Sequence, residues 1–110
     1  METQFKVNTP VRLGSDIEFE PGRVTRLDFV KNDSGSVSIL AFDAGVGIEP
    51  HAVPYDVMVQ VVEGAFEFNV DGTLQYLKKH DVMIMPAMTV HSVKAAMEPS
   101  KLLLSRFKAE

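Results

Sequence analysis

Turn-forming residues interrupt this chain at short intervals, and that rhythm limits its fold more than any other feature of the sequence. Examples are Pro21-Gly22, Glu63-Gly64, Asp71-Gly72 and Pro99-Ser100, and the stretches between the turns are short and rich in Val, Ile, Leu and Phe. Short apolar runs between closely spaced turns are typical of β-sandwiches and β-barrels. The chain has 110 residues, which suits one domain. We therefore predict a single all-β domain over residues 1–110, with an N-terminal arm at 1–22 and a barrel at 23–107.

The alternation of apolar and polar residues places the individual strands. The predicted strands are Arg23–Val30, Ser36–Asp43, Val57–Val62, Phe66–Val70, Leu74–Leu77, Val82–Met85, His91–Ala95 and Lys101–Phe107. Asp71-Gly72 predicts a two-residue hairpin, because both residue types tolerate the positive φ of a type I′ turn. Phe42, Phe66, Phe68 and Tyr76 are predicted core residues.

Two of these strands are apolar on both faces. Val57–Val62 carries three valines on one face, and Val82–Met85 contains no polar residue. Strands of this kind are buried on both sides, so one face would line the barrel and the other would need a cover. Because no long helix is predicted, we expect a homodimer formed through an apolar sheet face and the N-terminal arm.

Composition and charge exclude several classes of function. The net charge is −4, and the basic residues are scattered, which predicts no nucleic-acid partner. There is no cysteine, so thiol catalysis and zinc–thiolate sites are excluded. The N-terminus does not have the pattern of a secretory signal, and no apolar run approaches the length of about 20 residues that a membrane helix needs. We predict a cytoplasmic protein with no membrane partner.

Two of the three histidines stand where distant strands begin. His51 follows a glycine-containing loop that starts at Gly45, and His91 follows the loop that starts at Pro86. Closure of a barrel can bring such distant positions together, and two neutral imidazoles are suitable ligands for a divalent transition metal. His80 lies beside Lys78 and Lys79 and is interpreted as a solvated turn residue.

The spacing of these residues resembles the two sequence motifs of the cupin superfamily. Gly45, His51 and Gly64 match the first motif, and Pro86 and His91 match the second. The resemblance implies a small double-stranded β-helix, the jelly-roll barrel of cupins. It also implies a site for Fe, Mn, Zn, Ni or Cu, which the family usually holds with histidines and a glutamate.

The chain departs from these motifs at the metal positions. Val53 occupies the second histidine position and Val57 the glutamate position, so only His51 and His91 carry over as metal ligands. A carboxylate could complete a site with one divalent metal, with Asp56 as the candidate third ligand and Glu49 as another. In a regular strand Asp56 points away from the barrel, but Pro54 disfavours regular pairing and would let it turn inward.

Three hypotheses for function remain open. The first is a cupin-like barrel that binds an unknown small molecule in a pocket near His51, Val53, Val57 and His91, because ligand pockets often lie in barrel mouths. The second is a metal-dependent oxygenase or isomerase that uses His51 and His91 in a reduced site. The third is a non-catalytic structural or regulatory dimer. Whether the protein is an enzyme is left open.

Overall fold

Nine β-strands form the chain, whose computed structural model describes residues 1–110. The strands are β1 (Val24–Asn32), β2 (Gly35–Phe42), β3 (Gly47–His51), β4 (Tyr55–Glu63), β5 (Ala65–Val70), β6 (Thr73–Lys78), β7 (Val82–Met85), β8 (His91–Ala95) and β9 (Ser100–Lys108). There is no α-helix, so none is present that could cross a membrane. The prediction of an all-β fold is confirmed.

The strands form two antiparallel sheets that face each other. One sheet has five strands in the order β1-β2-β9-β4-β7, and the other has four in the order β3-β8-β5-β6. Strand β9 lies between β2 and β4 and pairs with both over nearly its full length. The last strand of the chain is therefore at the centre of the larger sheet.

Side chains on the inner faces of the two sheets form the core. On β4 the three valines at 57, 59 and 61 are almost fully buried, as their alternation predicts. Phe42, Phe66 and Phe68 are at most 1% exposed, and the rings of Phe42 and Phe66 pack edge to face with their centroids 5.0 Å apart. At the β5–β6 hairpin Asp71 and Gly72 both have positive φ, as the predicted turn requires.

The first 23 residues contain no strand and pack on the outer face of the five-stranded sheet. Ile17 is buried there against Ile39 and Ala41 of β2. Closer to the N-terminus, Phe5 stacks on Phe29 with ring centroids 4.5 Å apart, and Glu2 bridges to β1. The N-terminal segment thus covers part of this sheet face within the same chain.

The structure corrects two sequence predictions. The loop predicted from Gly45 to Pro50 instead forms β3 from Gly47 onward, because this segment pairs with β8 despite the irregular register between Ile48 and His51. Tyr76 is 72% exposed, because it lies on the outer face of β6 opposite Glu67. Strand β7 is an edge strand, and Val82 and Ile84 on its outer face are 51% and 71% exposed, so the chain itself does not supply the cover predicted for this face. The homodimer stays a prediction.

Candidate functional site

A cavity of 110 Å³ lies between the two sheets and is referred to below as the barrel cavity. Most of its lining is apolar, and its polar lining comes from two histidines and two arginines. The lining residues are Arg26, Leu40, Phe42, Ile48, His51, Val53, Val57, Val59, Phe68, Met85, His91, Val93, Leu102, Leu104 and Arg106. All four residues predicted for a ligand pocket therefore line one cavity.

His51 and His91 are neighbours in this cavity and are called the histidine pair. His51 ends β3, His91 begins β8, and the two residues are directly opposite each other in the β3–β8 pairing. Their ring centroids are 4.5 Å apart. His91 is only 8% exposed. Because the two residues are cross-strand partners, the sheet itself fixes their separation.

Both histidines use the same ring nitrogen to contact the backbone. Nδ1 of His51 lies 3.0 Å from the carbonyl oxygen of Glu49, and Nδ1 of His91 lies 3.0 Å from that of Thr89. A carbonyl only accepts hydrogen bonds, so each Nδ1 carries a proton and donates it. In the neutral imidazole this leaves Nε2 as an acceptor, and neither Nε2 bonds to another protein group. The histidine pair therefore offers two unused nitrogens.

Val53 and Val57 bring methyl groups to the positions where the cupin resemblance implies metal ligands. Val57 is 4% exposed and belongs to the main core cluster. Val53 is partly buried and packs against the same cluster. The cavity wall beside the histidine pair is consequently hydrophobic.

Asp56 does not point into the barrel cavity. It pairs regularly with Phe107 in the β4–β9 ladder, one position before the inward-facing Val57. Its Oδ1 accepts a hydrogen bond of 2.9 Å from the backbone N–H of Ala87, in the loop between β7 and β8. The inward turn expected after Pro54 does not occur, because the regular pairing of β4 already includes Asp56.

The side chains present do not supply a full set of metal ligands. Glu49 lines a separate surface pocket rather than the barrel cavity, and no group of three or more His, Cys, Asp or Glu residues is suitably placed for a metal ion. Catalytic metal sites generally use about three protein ligands. The histidine pair supplies two, so the donor set does not fit a catalytic metal of that kind.

Two arginines in the cavity wall were not identified from the sequence. Arg26 on β1 and Arg106 on β9 line the barrel cavity and also an adjoining cleft of 480 Å³. Both lie on inward-facing positions, since Arg26 pairs with Leu40 and Arg106 follows Leu102 and Leu104 at two-residue intervals. The sequence feature that could have identified these arginines is a charged residue at a strand position that faces inward.

Arg26 belongs to a hydrogen-bonded group with one carboxylate. Its Nε lies 3.0 Å from Oδ1 of Asp28, and its Nη2 donates to the hydroxyl of Ser38 at 3.1 Å. The same hydroxyl donates to Asp28 Oδ1 at 2.6 Å. The hydrogen bond from Ser38, helped by Arg26, holds the pKa of Asp28 below its ordinary value although burial acts in the opposite direction.

Arg106 has no such carboxylate partner. Its guanidinium carbon lies 5.8 Å from the centre of the Tyr55 ring, and its Nε is the one buried side-chain nitrogen or oxygen without a hydrogen-bond partner. Burial lowers the pKa of Arg106, and the nearby charge of Arg26 lowers it further. The site therefore holds a positive charge that the protein leaves incompletely neutralised.

Solved structures with the same fold come from several bacteria. The chain superposes on the conserved protein SPY1581 of unknown function from Streptococcus pyogenes with a TM-score of 0.88 and 22% identity, over 100% of this chain and 97% of that chain. A cupin superfamily protein from Desulfitobacterium hafniense DCB-2 gives a TM-score of 0.88 and 19% identity, over 97% and 98%. A cupin 2 conserved barrel domain protein from Leptotrichia buccalis gives a TM-score of 0.79 and 30% identity, over 84% of this chain and 44% of that chain.

The fold is thus the two-sheet jelly-roll barrel that defines cupin proteins. No protein-family model and no curated protein matches the sequence. The chain is a small member of the cupin superfamily, and the resemblance noted in its sequence motifs is confirmed at this level.

Proposed function

We propose that this protein binds a small organic molecule in the barrel cavity, with a hydrogen-bond donor of the molecule at the histidine pair. The observation that carries the proposal is the contact of two imidazoles, 4.5 Å apart between ring centroids, inside a cavity lined mostly by apolar side chains. Ligand pockets commonly combine an apolar wall with a few polar groups that fix the orientation of the ligand.

The free nitrogens of the histidine pair support this proposal. With each Nδ1 occupied by a backbone carbonyl, the two Nε2 atoms are left for the ligand. A partly desolvated acceptor without a partner costs free energy. A hydroxyl or another hydrogen-bond donor on the ligand would satisfy these acceptors, and the valine methyl groups would contact its carbon atoms.

The volume of the cavity limits the size of the part that is enclosed. An engineered cavity of about 150 Å³ holds benzene, which has six carbon atoms. At 110 Å³, the barrel cavity has room for roughly four or five non-hydrogen atoms on the same scale. Any larger ligand would extend past the arginines into the adjoining cleft.

A metal-dependent oxygenase or isomerase fits the side chains less well. It would need a further protein ligand beside the histidine pair, and Asp56 is bonded to the backbone of Ala87 instead. A non-catalytic dimer without a ligand would give the histidine pair no role. Metal binding and the absence of any ligand are accordingly alternative outcomes of the test.

The test compares the parent protein with a His51→Ala/His91→Ala double variant. A His80→Asn variant is the matched control, because His80 lies in an exposed turn with a positive φ that asparagine tolerates. Protein purified without chelator is analysed for metals by mass spectrometry, and a library of small organic fragments is screened by amide NMR spectroscopy.

We expect fragments to shift the amide signals of cavity residues in the parent and the control. In the double variant their affinity should fall at least about tenfold, which corresponds to about 1.4 kcal/mol. A stoichiometric metal that only the double variant loses would favour the metalloprotein alternative. Fragment binding that is equal in all three proteins, or absent from all three, would contradict the proposal.

A further inference from the structure

The unpartnered guanidinium of Arg106 is the feature of the barrel cavity that the proposed function does not yet explain. Its Nε is buried and donates no hydrogen bond, although it belongs to a charged group. Almost all buried donors in folded proteins have a partner, and an exception often marks the position of a missing ligand or water. The side chain lines both the barrel cavity and the adjoining cleft.

The balance of charge around Arg106 indicates what kind of partner is missing. Arg26 is paired with Asp28 at 3.0 Å, whereas Arg106 takes part in none of the ion pairs of the structure. The adjoining cleft also holds Lys31 and Asp33, so three basic groups face two carboxylates, which leaves one net positive charge. The lowered pKa of Arg106 agrees with this excess, since burial and the charge of Arg26 both disfavour its charged form.

We propose that the ligand is a small monocarboxylate whose carboxylate group binds Arg106 beside Arg26 and whose remaining part, apolar except for a donor to the histidine pair, occupies the barrel cavity. This inference rests on the proposed function and adds the chemical class of the ligand. One carboxylate brings one negative charge, which equals the excess. Its two oxygens match the planar fork of donors on a guanidinium group.

Phosphate is a poorer match for the same position. A phosphate monoester carries a charge of about −1.5 to −2 at neutral pH and has three strong acceptor oxygens. Arg26 already uses Nε and Nη2 for Asp28 and Ser38. The donors that remain, with a single excess charge, suit a carboxylate better.

The test uses isovalerate and its neutral analogue isovaleramide as probes. Both carry the same branched alkyl group of four carbons, a size that suits a cavity of 110 Å³, and they differ in charge. Binding is measured by amide NMR titration and calorimetry on the parent chain. The variants are Arg106→Met and Arg106→Lys, with Arg23→Met as a matched control because Arg23 has a side chain 74% exposed.

In the parent and in Arg23→Met we expect isovalerate to bind at least tenfold more tightly than isovaleramide. Arg106→Met should remove this preference while the amide still binds with unchanged affinity, and Arg106→Lys should keep part of it. Removal of an uncompensated and partly buried charge should leave the melting temperature of Arg106→Met at or above that of the parent. If Arg106→Met does not fold, the proposal is tested by the preference of Arg106→Lys for the acid over the amide. The affinities of the parent for the two probes then complete the test.

The possible failures of the two proposals are distinguishable. Equal affinity of the parent for the acid and the amide would overturn the carboxylate proposal and leave the binding cavity intact. An unchanged preference in Arg106→Met would also overturn it. Displacement of isovalerate by inorganic phosphate at equal concentration would assign the arginines to phosphate instead. No binding of either probe would overturn the carboxylate proposal, whereas the fragment screen alone decides on the binding cavity, because isovalerate carries no donor for the histidine pair.

Discussion

Gly64 connects the two sheets at a point where the structure leaves no room for a side chain. It lies between β4 and β5 with a φ of +74°. A Cβ atom added there would lie 2.8 Å from Cβ of Ser100 and would also collide with the Ser100 hydroxyl. Ser100 is fully buried, and its hydroxyl accepts a hydrogen bond of 3.1 Å from the backbone N–H of Ala65. We predict that Gly64→Ala is strongly destabilising.

The size of this effect follows from three contributions. The left-handed backbone costs a residue with a Cβ atom roughly 1–2 kcal/mol. Overpacking against a buried neighbour adds about 1–3 kcal/mol, and loss of the Ser100–Ala65 hydrogen bond adds about 1 kcal/mol. Gly72 is the matched control, because its φ is +85° but an added Cβ would meet nothing within 4 Å. Gly72→Ala should show only the first contribution.

Urea unfolding followed by far-ultraviolet circular dichroism measures both variants. We expect Gly64→Ala to lower the free energy of unfolding by at least about 2 kcal/mol more than Gly72→Ala does. Ser100→Gly removes the obstructing atoms, so in the Gly64→Ala background it should cost less than it does alone. If the two alanine variants differ by less than about 0.5 kcal/mol, the steric argument is wrong, because the effects of separate mutations are additive only to within about that amount.

Two further predictions concern the walls of the barrel cavity. The lowered pKa of Asp28 stabilises the fold above its unfolded pKa, and this stabilisation is lost as the pH falls through the folded pKa. Ser38→Ala should therefore be most destabilising near pH 7. Urea titrations should show that its free energy of unfolding approaches that of the parent on acidification to pH values of about 3. A difference in free energy that stays constant with pH would contradict this. Val53 and Val57 line the same cavity as the histidine pair. The melting temperature of a Val53→His/Val57→Glu double variant should therefore rise when Zn²⁺ or Ni²⁺ is added. If it does not respond to metal, these positions do not converge.

Most of the strands could be predicted from the sequence because alternation and turn residues agree there. The exception was β3, where Gly47 and Pro50 are poor strand formers. Its pairing with β8 is irregular and depends on the closed barrel, which a local pattern does not show. Strand β7 lies at the edge of its sheet, a position that four apolar residues do not reveal.

The candidate site was only partly predictable for a related reason. The positions of His51 and His91 suggested proximity through motif spacing, and the structure gives their cross-strand pairing and the role of each Nδ1. Arg26 and Arg106 were overlooked because scattered arginines usually lie on the surface. Their inward position depends on the register of β1, β2 and β9, which local alternation does not give.

The central position of β9 determines when this barrel can assemble. Strands β2 and β4 have no direct pairing with each other and are joined only through β9. During synthesis the two halves of the larger sheet must therefore wait, with their apolar faces incompletely covered, until residues 100–108 emerge from the ribosome. Such an interval favours aggregation or chaperone binding, so slower synthesis of residues 100–108 should lower the yield of folded protein.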